Sequence, residues 1–131
     1  MNNISFGFEE LEIWKKARAL KVEISTTIQL FPPEEKFRLA DRIIRSSRYI
    51  GALIAEGHGR FSYPDQIHFC VQARGSLAET MNHLIDAIDA NYISETILEG
   101  YRIRLKELER MLNGYIIYLR TKKDLKSQKP V

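Results

Sequence analysis

Apolar residues return every three or four positions along nearly the whole chain, the period at which one face of an α-helix repeats. Ile13, Trp14, Ala17, Leu20, Ile24, Ile28 and Phe31 mark the inner face of a first helix. Glu9, Glu10 and Glu12 put negative charge near its amino end, where the helix dipole favours it. The run from Phe31 to Glu35, FPPEE, ends that helix and starts the next, because proline and carboxylates are both tolerated in a first turn. Ala40, Ile43, Ile44, Ser47, Ile50, Gly51 and Ile54 form the inner stripe of the second helix, and Gly57 and Gly59 predict a left-handed cap at its end. Ser62, followed by Tyr63, Pro64 and Asp65, reads as the amino cap of a third helix with Ile67, Cys70, Leu77, Met81, Leu84 and Ile88 inside. After a turn at ANYIS, capped by Ser94, the fourth helix buries Ile97, Leu98, Tyr101, Leu105, Leu108, Leu112, Tyr115 and Leu119.

Four such helices of similar length with short connections predict an all-α fold, an up-down-up-down antiparallel four-helix bundle. No strand-type alternation and no internal repeat stand out. The bundle domain is expected over residues 1–121, with 122–131 a disordered lysine-rich tail. Gly51 and Gly75 lie inside helices, where glycine costs about 1 kcal/mol relative to alanine. With Ser47, Ala55, Ala73 and Ser76 they predict a close approach of the second and third helices, the alternative being tolerated defects.

Composition narrows the class. The 131 residues suffice for one domain with a core. No apolar run reaches the roughly 18–20 residues of a membrane span, and the amino-terminal residues lack the pattern of a secretory signal. Cys70 is the single cysteine, which excludes an internal disulfide and a multi-cysteine zinc site and points to the cytoplasm. Charge is unevenly spread: residues 1–35 net −2, 36–60 net +4, 61–100 net −5 and 101–131 net +6. Such a chain can present one basic surface, pair its own segments, or pair with copies of itself.

Candidate chemistry is sparse. Bundle di-iron sites use Glu-x-x-His pairs from two helices, and the chain has none. Glu79, His83 and Asp86 share a helical face without a partner constellation, so no metal or other cofactor is expected. Cys70 falls on an inner stripe, where a reactive thiolate is not expected. His58 has no nucleophile tied to it, and no catalytic residue is assigned. The loop between the second and third helices, EGHGR, could dock an anion at the following helix start. The simpler reading is a terminator and restart, with Glu56 and Arg60 locking the turn or a neighbouring subunit.

The strongest physical feature is the second helix, where Arg38, Arg42, Arg45 and Tyr49 share one narrow face with Arg48 beside them. Arginine forks match phosphate geometry, and a tyrosine among them can stack on a base. The same face could instead be solvated or paired with acids of another helix or subunit. Leu11, Val22, Leu53, Phe69, Ile103 and Ile117 are apolar but off the inner stripes, and are candidate subunit-interface residues. Arg74, at the edge of an inner stripe, should find a carboxylate or carbonyl, or reach outward.

FEELEIW (Phe8–Trp14), LFPPEE (Leu30–Glu35), IAEGHGRFS (Ile54–Ser62), ARGSLAE (Ala73–Glu79) and NYI (Asn91–Ile93) occur in that order, within a resemblance that covers roughly residues 6–120. Together they resemble the four-helix bundle proteins first noted as reading frames within intervening sequences of bacterial 23S ribosomal RNA genes. The resemblance implies a small cytoplasmic bacterial protein that assembles as a homopentamer and has no known catalysis. More distantly it is similar to the accessory subunit of diversity-generating retroelements, a basic pentameric barrel that binds a reverse transcriptase and RNA. The family's usual asparagine before I-A-E-G is Leu53 here.

The expected function is therefore non-enzymatic. A homo-oligomer binds RNA or a nucleic-acid-associated protein through Arg38, Arg42, Arg45, Arg48 and Tyr49, with Arg60, Lys122 and Lys123 as accessories. Its rivals are a purely structural scaffold, and an enzyme or small-molecule binder built on the bundle.

Overall fold

A computed structural model describes residues 4–127. Four helices follow one another: α1 (Glu12–Thr27), α2 (Leu39–His58), α3 (Tyr63–Asp89) and α4 (Glu95–Ser127). Short 3-10 turns at Gly7–Glu10, Ile28–Leu30 and Pro33–Glu35 flank α1 and lead into α2, and no strand occurs among the described residues. The helices run up-down-up-down. α2 packs most extensively on α3, α4 packs on α3, and α1 bridges α2 and α4. α2 and α4 therefore lie diagonally across the bundle.

The helices are unequal in length. At 1.5 Å per residue, α4 is about 50 Å long and α1 about 24 Å. α4 continues through Ser127, so residues 122–127 extend the helix where the sequence predicted a disordered tail. Residues 128–131 of that predicted tail lie outside the described residues. The extension packs on the start of α3, where the Lys126 ammonium sits 6.0 Å from the Tyr63 ring centroid.

The core follows the predicted stripes. Ile24, Ile43, Ile50, Ile54, Leu84, Leu105, Leu108, Leu112 and Leu119 are fully buried. Trp14, Ile44, Ile67, Met81, Ile88, Ile97 and Tyr115 are only half-buried at its margin. The stripes also contain Ser46, Thr80, Ala87 and Ile116, absent from the predicted inner faces. Ser46 and Thr80 meet between α2 and α3. The Thr80 hydroxyl donates to Ser46 Oγ at 2.8 Å, and Ser46 donates to the Ile43 carbonyl at 3.3 Å. Each buried hydroxyl is thereby satisfied without water.

Local signals account for the helix ends. Ser62 Oγ accepts from the Asp65 N–H at 3.2 Å, and Ser94 Oγ accepts from the Ile97 N–H at 3.2 Å. Both serines cap as predicted. The left-handed cap, however, sits at Asn91 (φ 63°), after α3. There the Tyr92 N–H reaches back to the Ala87 carbonyl at 2.9 Å, a Schellman-type closure that asparagine tolerates. The end of α2 is right-handed: Gly59 has φ −80° and donates to the Ala55 and Glu56 carbonyls.

The glycines answer to packing. A Cβ on Gly57 would lie 2.7 Å from Phe69 Cβ, so Gly57 is what lets α2 and α3 touch at their shared turn. Gly51 and Gly75, predicted for that role, do not fill it. Gly51 faces Trp14 and Ala17 of α1 at ordinary contact distances, and a Cβ on Gly75 would meet nothing within 4 Å.

On the far side, polar ties join α1 to α4. Lys16 Nζ pairs with Glu107 Oε1 at 3.0 Å, Arg104 pairs with Glu23, and the Thr27 and Tyr101 hydroxyls share a hydrogen bond. Gly57→Ala is expected to destabilise the protein by about 1–3 kcal/mol through overpacking. Gly75→Ala is expected to stabilise it by up to about 1 kcal/mol. Urea unfolding followed by circular dichroism measures both, and equal effects would contradict the assignment of the close contact to Gly57.

Candidate nucleic-acid interface

The amino end of α2 is held by carboxylate chemistry. Glu35 Oε2 accepts from the Leu39 N–H at 3.0 Å, and Glu35 Oε1 accepts from the Tyr92 hydroxyl at 3.1 Å. One carboxylate thus joins the start of α2 to the α3–α4 turn. Burial and the adjacent Glu35 hold the Tyr92 phenol protonated above its ordinary range, while Arg38 pulls the other way. Arg38 is the amino cap of α2, and its carbonyl accepts from the Arg42 N–H at 3.1 Å.

From this end an exposed basic face runs along α2. Arg38, Arg42, Arg45 and Arg48 are all exposed, and Tyr49 is 58 % exposed among them. Arg45 Nε pairs with Asp41 Oδ2 at 3.0 Å, one turn back on the same helix. Arg42 and Arg48 have no ion-pair partner among the described residues. The acids of α3 do not neutralise this face within one chain: Glu79 and Asp86 lie at 3.3 and 3.9 Å from the His83 ring nitrogens instead. That imidazole is largely covered rather than solvated. Among the described residues no three His, Cys, Asp or Glu side chains are grouped to hold a metal ion.

The accessory cations are elsewhere. Arg60 belongs to the α2–α3 turn: Nη2 pairs with Glu56 Oε1 at 2.9 Å, its guanidinium lies 4.7 Å from the Phe69 ring centroid, and its carbonyl accepts from Gln66 Nε2 at 3.0 Å. This is the turn lock predicted for Glu56 and Arg60, made within one chain. His58 packs against Gly7, where a Cβ would come within 2.7 Å of the imidazole. Lys122 lies beside Tyr118, 5.5 Å from its ring centroid, and Lys122 and Lys123 sit at the end of the bundle where α2 terminates. One chain therefore does not gather Arg38 and Arg42 with Lys122 and Lys123 into a continuous patch.

The predicted interface residues divide. Leu11 and Leu53 pack at the core margin, and Phe69 is half-buried on Gly57 and Arg60. Val22, Ile103 and Ile117 are exposed. Arg74 Nη1 donates to Asn113 Oδ1 at 2.7 Å, joining α3 to α4 through an amide oxygen.

The outer face of α4 holds a signal the sequence reading missed. Residues 100–105, GYRIRL, recur as GYIIYL at 114–119, four helical turns later. The tyrosine and leucine of each copy turn inward. The glycine and the fourth-position isoleucine of each turn outward: a Cβ on Gly100 or Gly114 would meet nothing within 4 Å, and Ile103 and Ile117 are 67 % and 62 % exposed. The repeat is short and degenerate, and the inward leucines already explained half of it.

The molecule is thus an antiparallel four-helix bundle with a basic face on α2 and a small-residue, isoleucine-bearing stripe on α4. The chain belongs to the family described as 23S rRNA-intervening sequence protein, whose family model matches residues 9–114. Among solved structures it is similar to a protein of unknown function from the S23 ribosomal protein family of Bacteroides thetaiotaomicron. The two are 27 % identical with a TM-score of 0.73, over 79 % of this chain and 97 % of that one. No functionally curated protein matches it. No helix among the described residues is long and apolar enough to cross a membrane.

Burial pushes the Cys70 thiol up to about 11. Native Cys70 is therefore expected to resist iodoacetamide at pH 8 and to react promptly once urea unfolds the chain. Rapid labelling of the folded protein, read by mass spectrometry, would contradict its core placement.

Proposed function

We propose that this protein is a non-enzymatic, self-assembling bundle of the cytoplasm that binds RNA, or a protein associated with nucleic acid, through the exposed face of α2. The observation that carries this reading is the run of exposed arginines, of which Arg42 and Arg48 have no ion-pair partner among the described residues. Long cationic side chains on a rigid helix suit a phosphate backbone, whose contacts depend on charge and spacing more than on base identity. Arg38, Arg42, Arg45 and Arg48 provide the charge, and Tyr49 provides a ring. Arg60 supports the turn. Lys122 and Lys123 contribute only if assembly brings a second copy's tail near α2.

Assembly is supported by the α4 stripe. Two helix-interior glycines each cost about 1 kcal/mol and fill no need within one chain. They let another backbone approach closely, with Ile103 and Ile117 as the apolar contacts on either side. The family resemblance makes five the expected number of copies. A pure scaffold is the second reading, favoured by the Asp41–Arg45 pair, which shows that part of the basic face can be neutralised by acids.

Replacing Arg42 and Arg45 by glutamate is expected to weaken RNA binding at least tenfold and to flatten its salt dependence, while helicity stays unchanged. Binding undiminished in the double variant would place the contact elsewhere. Light-scattering mass on a sizing column is expected to give five subunits for the native chain and a smaller species for Ile103→Glu with Ile117→Glu. A monomeric native protein would remove the assembly half of the reading.

A further inference from the structure

Beside the basic face lies a groove that the arginines alone do not explain. It has a volume of about 480 Å³ and runs between the end of α1 and the start of α2. That is within the roughly 300–1,000 Å³ of small-molecule sites. Ile28, Ala40 and Ile44 make an apolar floor, Ser25 stands on one rim, and Lys36 and Arg48 supply the charge. No acid lines it, and the nearby Glu35 carboxylate is committed to Leu39 and Tyr92.

Next to the groove, Phe37 is 84 % exposed, with the Lys36 ammonium 5.4 Å from its ring centroid. Exposed Phe37 thus stands beside Lys36 and Arg38 at the approach to α2, and exposed Tyr49 stands among the arginines within it. A purely electrostatic surface has no use for solvated aromatic rings and an apolar slot. Surfaces that bind single strands use both, because every unpaired base has a planar apolar face while the backbone carries the charge.

We infer that the groove takes one unstacked base of a single-stranded nucleic acid, with its flanking phosphate on Lys36 and Arg48 and a neighbouring base stacked on Phe37. The inference rests on the nucleic-acid reading of α2 and narrows it to single strands. A paired base cannot leave a duplex to enter the groove without the cost of unpairing and unstacking. An acidic peptide would match the charge but would leave the slot and the ring unused.

Fluorescence anisotropy tests it with a labelled single-stranded RNA and the blunt RNA duplex of the same length. Two variants probe the groove. Ser25→Trp fills it from the rim, since the Ser25 hydroxyl only bonds back to the Lys21 carbonyl at 3.1 Å. Phe37→Ala removes a solvated ring and leaves the fold untouched. The native protein should prefer the single strand, and each variant should lower single-strand affinity roughly tenfold while duplex affinity stays constant. Equal affinity of the native protein for the two RNAs overturns this inference alone. So does single-strand affinity unchanged by Phe37→Ala, or displacement of the strand by polyglutamate as readily as by unlabelled RNA. Failure of the native protein to bind either RNA at low salt overturns this inference together with the RNA half of the reading of α2 on which it rests.

Discussion

Everything in this bundle is positioned by the contact between α2 and α3. Gly57 lets the two helices touch at their shared turn, against Phe69, and the Ser46–Thr80 hydroxyl pair joins them again further along. Small groups at both places bring the backbones close, and the buried apolar side chains of both helices fill the space beside them. Each of these hydroxyls also has an acceptor on its own helix, the Ser76 carbonyl for Thr80 at 2.9 Å and the Ile43 carbonyl for Ser46 at 3.3 Å, so the buried pair costs no unsatisfied donor. With α2 fixed on α3, its opposite face has no role in the core and can carry four arginines.

The same geometry explains why the loop between α2 and α3 is built as it is. Its glycines and its glutamate–arginine pair resemble catalytic furniture in one dimension. In three, Gly57 is a packing residue, Gly59 ends a right-handed helix, and Arg60 holds Glu56, Phe69 and Gln66 together. A turn so tightly tied transmits little motion, and it orients α2 rigidly. At the other end, Glu35 does comparable work by capping α2 and holding Tyr92. The basic face is thus presented on a helix fastened at both ends, an arrangement that limits the conformational entropy this face has to lose in any contact.

The two unpartnered surfaces differ in chemistry. The α2 face is cationic with exposed rings, and it suits a polyanion with planar groups. The α4 stripe is glycine and isoleucine, and it suits another helix. They lie on diagonal helices, so the assembly proposed through α4 leaves the α2 faces accessible.

Periodicity determined the four helices, their order and most of the buried residues, because a 3.6-residue pattern specifies which side of a helix must leave water. It also found both serine caps and the arginine face, since these depend on neighbours within a turn or two. It placed the close contact at Gly51 and Gly75, the left-handed cap at Gly57 and Gly59, and the end of the fourth helix near Thr121. Each of those depends on what another helix supplies. Phe69 decides where a Cβ cannot go, the left-handed backbone falls at Asn91 after α3 while the glycines ending α2 stay right-handed, and Tyr63 gives the lysine-rich end of α4 something to pack against. Thr80 and Ser46 lie off the apolar stripes, and only the tertiary structure brings them together. Likewise the groove beside Phe37 and Arg48 exists only because α1 and α2 diverge at their connection, a separation that no local pattern encodes.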